Sequence, residues 1–179
     1  TSLTELNLGF NQLVTLPESI AALTQMKTLT LSCNKFTTLP KPIVKLTSLT
    51  ELYLAGNQLV TLPDSIAALT ALKTLYLGCN KFTTLPTPIV KLTSLTELDL
   101  SGIQLMALPD SMAALTALKK LDLYKNKFTT LPKPIIKLTS LTVLDLGENR
   151  LATLPDSIAA LTSLKTLSLY NNTLVTLPN

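Results

Sequence analysis

The sequence predicts an α/β solenoid in which repeated units place parallel strands side by side in one sheet. Two observations support this prediction. One unit recurs at a fixed period of 23 residues, beginning at positions 23, 46, 69, 92, 115, 138 and 161. Each unit contains an alternating Leu-x-Leu segment, which is typical of a strand with one buried face. A period of this length indicates that each unit buries its apolar side against its neighbours.

The repeats account for the whole chain. Residues 1–179 divide into eight repeats, of which the first and last are truncated, and none remain for a separate catalytic domain. We therefore expect a single elongated domain. Neither end has a recognisable capping repeat, so we expect exposed leucines at both ends of the stack and consider end-to-end self-association.

The composition argues against several classes of function. Polar residues interrupt every apolar run, so no stretch of roughly 18 residues predicts a membrane span. The formal net charge of +4 is not clustered, so we expect no nucleic-acid partner. The sequence has no histidine, no Gly-rich phosphate loop, and no metal-ligand spacing of its two cysteines. We therefore expect no enzyme activity, no cofactor and no metal site.

Charge alternates from repeat to repeat. Odd-numbered repeats carry ten acidic residues and one base, Arg150, whereas even-numbered repeats carry fourteen lysines and one acid, Asp122. The true repeating unit is therefore a pair of 46 residues. Neighbouring repeats of a parallel sheet lie about 4.8 Å apart, so opposite charges should alternate along the solenoid. We expect this pattern to specify register and solubility, because exposed ion pairs contribute little stability.

An asparagine follows the strand in nearly every repeat. Its side-chain amide can bond the backbone of the turn, so stacked repeats predict a ladder. The ladder residues are Asn11, Asn34, Asn57, Asn80, Asn126, Asn149 and Asn172. Ile103 replaces the asparagine in repeat five, where Met106, Ala107 and Met112 also depart from the pattern. We expect an unpaired turn group there, at a cost of about 1–3 kcal/mol.

The outer arms differ between odd and even repeats. Asp-Ser-Ile-Ala-Ala in the odd repeats predicts a short helical turn with a side-chain N-cap. Lys-Pro-Ile-Val-Lys in the even repeats contains a second proline and a β-branched residue, which favour a more extended return path.

The repeat Leu-x-x-Leu-x-x-Leu-x-Leu-x-x-Asn-x-Leu/Phe-x-x-Leu-Pro-x-x-Ile resembles that of leucine-rich-repeat proteins, in the 23-residue class with Leu-Pro-x-x-Ile on the outer arm. The resemblance covers all 179 residues. It implies a right-handed horseshoe with a concave parallel sheet of about eight strands and short 3-10, irregular or helical outer arms. Similar repeats occur in plant intracellular Ras-group proteins and in Ras-effector and cell-polarity scaffolds. The resemblance implies non-catalytic protein binding on the concave face, with the partner's identity open.

The strand positions that alternate with the core leucines should face solvent on the concave side. They vary between repeats and include all four tyrosines, a residue type enriched at interfaces. Three aspartates should form a row on adjacent strands, as a dock for a basic partner, a polar face screened by lysines, or a cation site. The candidate partner-binding residues are Tyr53, Tyr76, Asp99, Lys120, Asp122, Tyr124, Asp145 and Tyr170.

Three alternative functions stay open. The chain fits an extracellular or cell-surface receptor of the same fold, or a designed or structural scaffold, since its units are unusually alike. Regular threonines could also bind ice, as in a plant antifreeze type that resembles leucine-rich repeats, although Ala107 and the expected curvature oppose this. The threonine column comprises Thr15, Thr38, Thr61, Thr84, Thr130, Thr153 and Thr176.

The two cysteines bear on location. Cys33 and Cys79 occupy the same place two repeats apart, so about 10 Å should separate them. That distance exceeds the roughly 7 Å limit between Cα atoms joined by a disulfide. Free thiols and the absence of disulfide-bonded caps favour an intracellular location.

Overall fold

The computed structural model describes residues 2–178 and contains one parallel sheet of eight strands in chain order. Each strand pairs with the next at an offset of 23 residues, so that Leu6, Leu29 and Leu52 stand in register. The expected solenoid is confirmed. The strands are β1 (Glu5–Asn7), β2 (Thr28–Thr30), β3 (Glu51–Tyr53), β4 (Thr74–Tyr76), β5 (Glu97–Asp99), β6 (Lys120–Asp122), β7 (Val143–Asp145) and β8 (Thr166–Ser168).

A stack of leucines forms the core. In repeat three, the side chains of Leu46, Leu49, Leu52 and Leu54 have no exposed surface. Full burial of such a side chain contributes about 1.5–3 kcal/mol, and here the covering atoms come from the repeats on either side. The end repeats are covered on one side alone, so several of their leucines are half-buried: Leu6, Leu8, Leu13, Leu164, Leu167, Leu169 and Leu174.

The outer arms are 3-10 helices in odd and even repeats alike, so the expected extended return of the even repeats is wrong. Pro42 lies in the first turn of its helix, where its missing N–H removes no hydrogen bond. The expected side-chain N-cap is also wrong, because proline holds that position without a side-chain hydrogen bond. The helices span Glu18–Ala22, Lys41–Lys45, Asp64–Ala68, Thr87–Lys91, Asp110–Ala114, Lys133–Lys137 and Asp156–Ala160.

The 46-residue pair is visible in the structure as an alternation of contacts. The even arm of repeat two buries both Pro42 and Ile43, whereas the odd arm of repeat three buries Ile66 alone. Lysines of even repeats donate to glutamines of the preceding odd repeats, as in the bond of 2.9 Å from Lys81 Nζ to Gln58 Oε1. Directional side-chain hydrogen bonds therefore accompany the charge pattern at three boundaries between an odd repeat and the even repeat that follows it.

The ladder asparagines join the turns of consecutive repeats. Asn57 is typical: its Oδ1 accepts the Phe36 N–H at 3.1 Å. Its Nδ2 donates to the carbonyl oxygens of Leu31 and Leu54, both at 3.0 Å. The side chain is buried, and its polar atoms are all paired. From Asn34 onward, each asparagine thus closes its own turn and satisfies a backbone group of the preceding one.

The residue before each ladder position has a left-handed backbone, with φ between 49° and 68°. A residue with a Cβ atom is disfavoured there by about 1 kcal/mol or more, whereas glycine is not. Two of the eight positions are glycine, so the hydrogen bonds of the turn hold six other residues in a disfavoured conformation. The column is Phe10, Cys33, Gly56, Cys79, Gly102, Lys125, Glu148 and Asn171.

Replacing Cys79 with glycine should raise the free energy of unfolding by about 1 kcal/mol, because the exposed thiol is lost at little cost and the Cβ penalty disappears. Gly102→Ala, in the next repeat, should lower it by a similar amount. Gly102 has φ +63°, and its new Cβ would lie 3.2 Å from Cys79 Sγ. Denaturant unfolding measures both changes. Equal stability of wild type and both variants would show that the turn relaxes out of the left-handed region.

Candidate functional site

The concave strands display the candidate residues in three adjacent columns. Tyr53 and Tyr76 end strands β3 and β4, and three aspartates end β5, β6 and β7. Lys120 begins β6, while Tyr124 and Tyr170 follow their strands by two residues. The alternation of side chains along each strand puts all of them on the face opposite the leucine core.

A shallow depression of about 220 Å³ lies on this face and brings five of the eight candidates together. Its lining includes Tyr76, Asp99, Lys120, Asp122 and Asp145. Tyr53, Tyr124 and Tyr170 are not among its lining residues. Four further lining residues were absent from the predicted set, namely Glu97 and Val143 and the core leucines Leu98 and Leu121.

The three aspartates stand in register on neighbouring strands and also have a structural role that the sequence analysis missed. Oδ1 of Asp99, Asp122 and Asp145 accepts the backbone N–H two residues later, at 2.7, 2.8 and 2.8 Å respectively. Asn7 makes the same bond at 2.9 Å, so the preference for Asn and Asp in this column was the available signal. Their second carboxylate oxygens accept no hydrogen bond from residues 2–178.

Asp122 is the central member of the row. Burial raises the pKa of its carboxyl above the ordinary value, and the charges of Asp99 and Asp145 raise it further. The hydrogen bond from the Tyr124 N–H acts in the opposite direction but does not cancel them. The fold therefore carries this negative charge at a cost.

Glu97 organises the other side of the depression. Its carboxylate pairs with Lys120 Nζ at 2.7 Å and accepts a longer hydrogen bond of 3.4 Å from the Tyr76 hydroxyl. The hydrogen bond with Glu97 raises the pKa of Lys120, so this lysine is held as a charged partner of Glu97. The signal for Glu97 was its cross-strand register with Lys120 on the next repeat.

Tyr53 and Tyr76 form one aromatic pair. Their ring centroids lie 5.0 Å apart at an interplanar angle of 76°, an edge-to-face arrangement that aromatic rings favour. The Tyr53 hydroxyl donates to Glu51 Oε2 at 2.9 Å. Burial and this hydrogen bond raise the pKa of Tyr53 to about 12. Both rings are therefore fixed in place before any partner arrives.

Tyr124 and Tyr170 form a second pair although they are two repeats apart. Their rings stack at 5.8 Å with an angle of 26°. A Cβ atom on the intervening Gly147 would lie 2.5 Å from Tyr170 Cε1, so the glycine makes room for the pair. The neighbouring hydroxyl of Tyr170 and the carboxylate of Glu148 raise the pKa of Tyr124.

Three other features of residues 2–178 bear on the sequence predictions. No group of three or more Cys, Asp or Glu residues there is arranged to hold a metal ion, so the geometry gives no support to a cation site in the aspartate row. Cys33 and Cys79 carry free thiols. No helix in this part of the chain is both long and apolar enough to cross a bilayer.

Comparison with known proteins identifies the family. The sequence profile of the leucine rich repeat matches residues 1–59, 47–105, 94–151 and 116–174. The chain belongs to the leucine-rich repeat family. The leucine-rich repeat fold is a protein–protein interaction module, and the family is generally non-enzymatic. No match was found among curated protein sequences.

Solved structures of leucine-rich repeat proteins are similar to this one. A leucine-rich repeat protein of Leptospira interrogans is 38% identical with a TM-score of 0.80, over 99% of this chain and 51% of that one. The ectodomain of the Arabidopsis thaliana membrane receptor kinase GASSHO1/SCHENGEN3, in complex with CASPARIAN STRIP INTEGRITY FACTOR 2, is 36% identical with a TM-score of 0.78, over 99% and 22%. PEPR1 in complex with AtPEP1 is 31% identical with a TM-score of 0.76, over 97% and 25%. This leucine-rich repeat chain thus spans about half the length of the first and a quarter or less of the others.

Asp122→Asn should stabilise the protein at pH 7, by up to about 1 kcal/mol, because it removes a charge that the fold disfavours. The amide keeps the acceptor for the Tyr124 N–H, as Asn7 does for Gly9. The raised pKa means that folding favours the protonated carboxyl of Asp122, so the gain should shrink as pH falls through that pKa and vanish below the ordinary pKa of an aspartate. Thermal unfolding across pH measures this. A gain that persists in acid would contradict the electrostatic explanation.

Proposed function

We propose that this leucine-rich repeat protein is a non-catalytic recognition module that binds a protein partner on its concave sheet. The depression between Tyr76 and Asp145 is the centre of the proposed site. The observation that carries the proposal is the aspartate row. The pKa of its central member, Asp122, is raised, and the second carboxylate oxygen of each aspartate has no hydrogen-bond partner within the described residues. A core or turn residue alone would not require three adjacent charges, since Asn7 makes the same turn bond without one.

The chemistry of the depression favours a basic segment of the partner. Two like charges about 5 Å apart in water repel by about 0.8 kcal/mol, and a lysine or arginine placed between them relieves that repulsion. An arginine guanidinium matches the paired acceptors of neighbouring carboxylates. Tyr76 and Val143 supply apolar contact beside them. The Glu97–Lys120 pair bounds the site and leaves the aspartates as its available charges.

A triple variant tests the site. Changing Asp99, Asp122 and Asp145 to asparagine should weaken binding of basic peptides, selected from a random library by the wild-type chain, by at least about tenfold. The turn hydrogen bonds remain, because asparagine retains the acceptor. The matched control changes Asp64, Asp110 and Asp156 on the outer helices, which removes the same net charge from exposed positions.

Fluorescence anisotropy of the selected peptides compares the two variants. The control should stay within about threefold of wild type at moderate salt, because long-range charge effects are screened. Equal loss in both variants would refute a specific concave site and indicate net charge alone. Selection of peptides without basic residues would refute the predicted partner chemistry.

A receptor function is the alternative within the same fold. Two of the similar structures are a plant receptor ectodomain in complex with CASPARIAN STRIP INTEGRITY FACTOR 2 and PEPR1 in complex with AtPEP1, which favours a ligand-recognition role for the proposed surface. The sequence flanking these repeats distinguishes a receptor from an intracellular recognition module. A secretion signal or disulfide-bonded caps would support the receptor, and their absence from the full-length gene product would support the intracellular module expected from the free cysteines.

Ice binding has one observation in its favour. Two adjacent columns on the flank of the solenoid, at positions 14 and 15 and their equivalents in the other seven repeats, are exposed at all sixteen residues, and threonine fills most of them. Met106 and Ala107 interrupt the array. Inhibition of ice recrystallisation that Thr61→Lys and Thr84→Lys abolish would support this function. No inhibition by the wild-type chain would exclude it.

Self-association through the ends of the stack also stays a proposal. Leu3 and Leu177 are 42% and 70% exposed, and the leucines of the first and last repeats are half-buried. These two faces are the surfaces through which a second copy would continue the leucine core.

A further inference from the structure

The boundary between repeats four and five lacks three hydrogen bonds that join every other pair of neighbouring repeats in residues 2–178. Elsewhere, a ladder asparagine accepts a backbone N–H of the preceding turn at 2.8–3.1 Å. It also donates from Nδ2 to a leucine carbonyl of the preceding repeat at 2.9–3.0 Å. A backbone bond lies beside it, such as that of 2.9 Å from the Gln58 N–H to the Phe36 carbonyl. Phe82 holds the place of Phe36 at the exceptional boundary. Neither its N–H nor its C=O has a partner among the described residues.

Repeat five itself explains these losses. Ile103 replaces the ladder asparagine and is buried, with 1% of its surface exposed, but it offers no acceptor to the Phe82 N–H. Gln104 follows with φ +62°, a left-handed conformation that no other described residue of its column adopts. Its N–H makes no bond to the Phe82 carbonyl, in contrast to that of Gln58 in repeat three. A substituted ladder position and a strained backbone therefore occur together.

The same boundary is open on one flank and closed on the other. A cleft of about 330 Å³ lies on the turn flank, lined by Phe82, Ile103 and Met106 among others. On the concave side the strands remain paired, with the Leu77 N–H bonded to the Asp99 carbonyl at 2.9 Å. The two halves of the solenoid thus remain joined by the sheet, the leucine core and the outer helices, and the lost bonds are those of the turn beside Phe82.

We propose that this boundary is a hinge, at which the turn flank opens while the concave sheet stays paired. Local opening is expected where inter-repeat hydrogen bonds are fewest, because each repeat is held by its neighbours alone. Opening would change the angle between repeats one to four and repeats five to eight. Tyr76 and Asp99, which line the concave depression from opposite sides of the boundary, are register partners in the paired sheet, so opening would tilt the two halves of the concave face without separating this pair. The hinge stands independently of what that depression binds.

Residue-resolved amide hydrogen exchange tests the hinge, and the chain supplies its own controls. Cys33 and Cys79 occupy equivalent turns, and their N–H groups bond across the boundary to Ala55 and Ser101 at 2.8 and 2.7 Å. The Cys79 amide should exchange at least about tenfold faster than the Cys33 amide. In the sheet, the amides of Leu31 and Leu77 should agree within about threefold, because both are bonded to the next strand.

One substitution should remove the missing-bond defect, and a second should create it at another boundary. Ile103→Asn restores the ladder and should bring Cys79 exchange to the Cys33 rate while raising the melting temperature. Asn57→Ile creates the same defect between repeats two and three and should accelerate exchange at Cys33. If Asn57→Ile does not fold, the repair variant alone decides.

Three results would overturn the proposal. Equal exchange of Cys33 and Cys79 in the wild-type chain would show that the boundary does not open preferentially. Fast exchange at Leu77 as well would show that the halves separate completely instead of hinging. An Ile103→Asn variant that leaves Cys79 exchange unchanged would show that the missing ladder bond is not the cause.

Discussion

Every part of this protein depends on the stacking of one repeat on the next at a constant offset of 23 residues. A single repeat exposes its leucines, and its neighbours cover them, so the core exists between repeats and not within them. Leucine fills most core positions, and isoleucine in the outer arms and phenylalanine in the even repeats recur at equivalent places, which keeps the layers alike. The leucines of the first and last repeats are only half-buried, because each of these repeats has a neighbour on one side alone.

The turn hydrogen bonds allow the stacked repeats to keep residues in an unfavourable left-handed backbone conformation. Asn57 and its equivalents pair backbone groups of two turns at once, and these turns hold Cys33, Lys125 and Glu148 at positive φ. Conformational strain in one repeat is therefore offset by hydrogen bonds that cross to another. Where Ile103 breaks the ladder, the next residue also leaves its usual conformation, which shows that the asparagine fixes the turn beyond its own hydrogen bonds.

A core held constant leaves the concave surface free to vary. Asp, Tyr, Thr and Ser occupy the same strand position in different repeats without changing the backbone, because the core leucine beside them is unchanged. Charged side chains on this surface have an electrostatic cost, which is seen in the raised pKa of Asp122 between Asp99 and Asp145. Asn7 makes the turn bond without a charge, so the bond itself belongs to the scaffold. The negative charges of the three aspartates exceed what the turn requires, and they define the proposed site.

The sequence by itself determined the period, the register, the leucine core and the columns that face the concave side, since all four follow from side-chain spacing along the chain. The tertiary structure decided which of those residues meet. Glu97 joined the site because β5 and β6 are adjacent, and Tyr124 reached Tyr170 because Gly147 leaves space between them. The 3-10 form of the even arms was also decided by packing, because the short return path and burial of Ile43 outweigh the extended preference of Pro42.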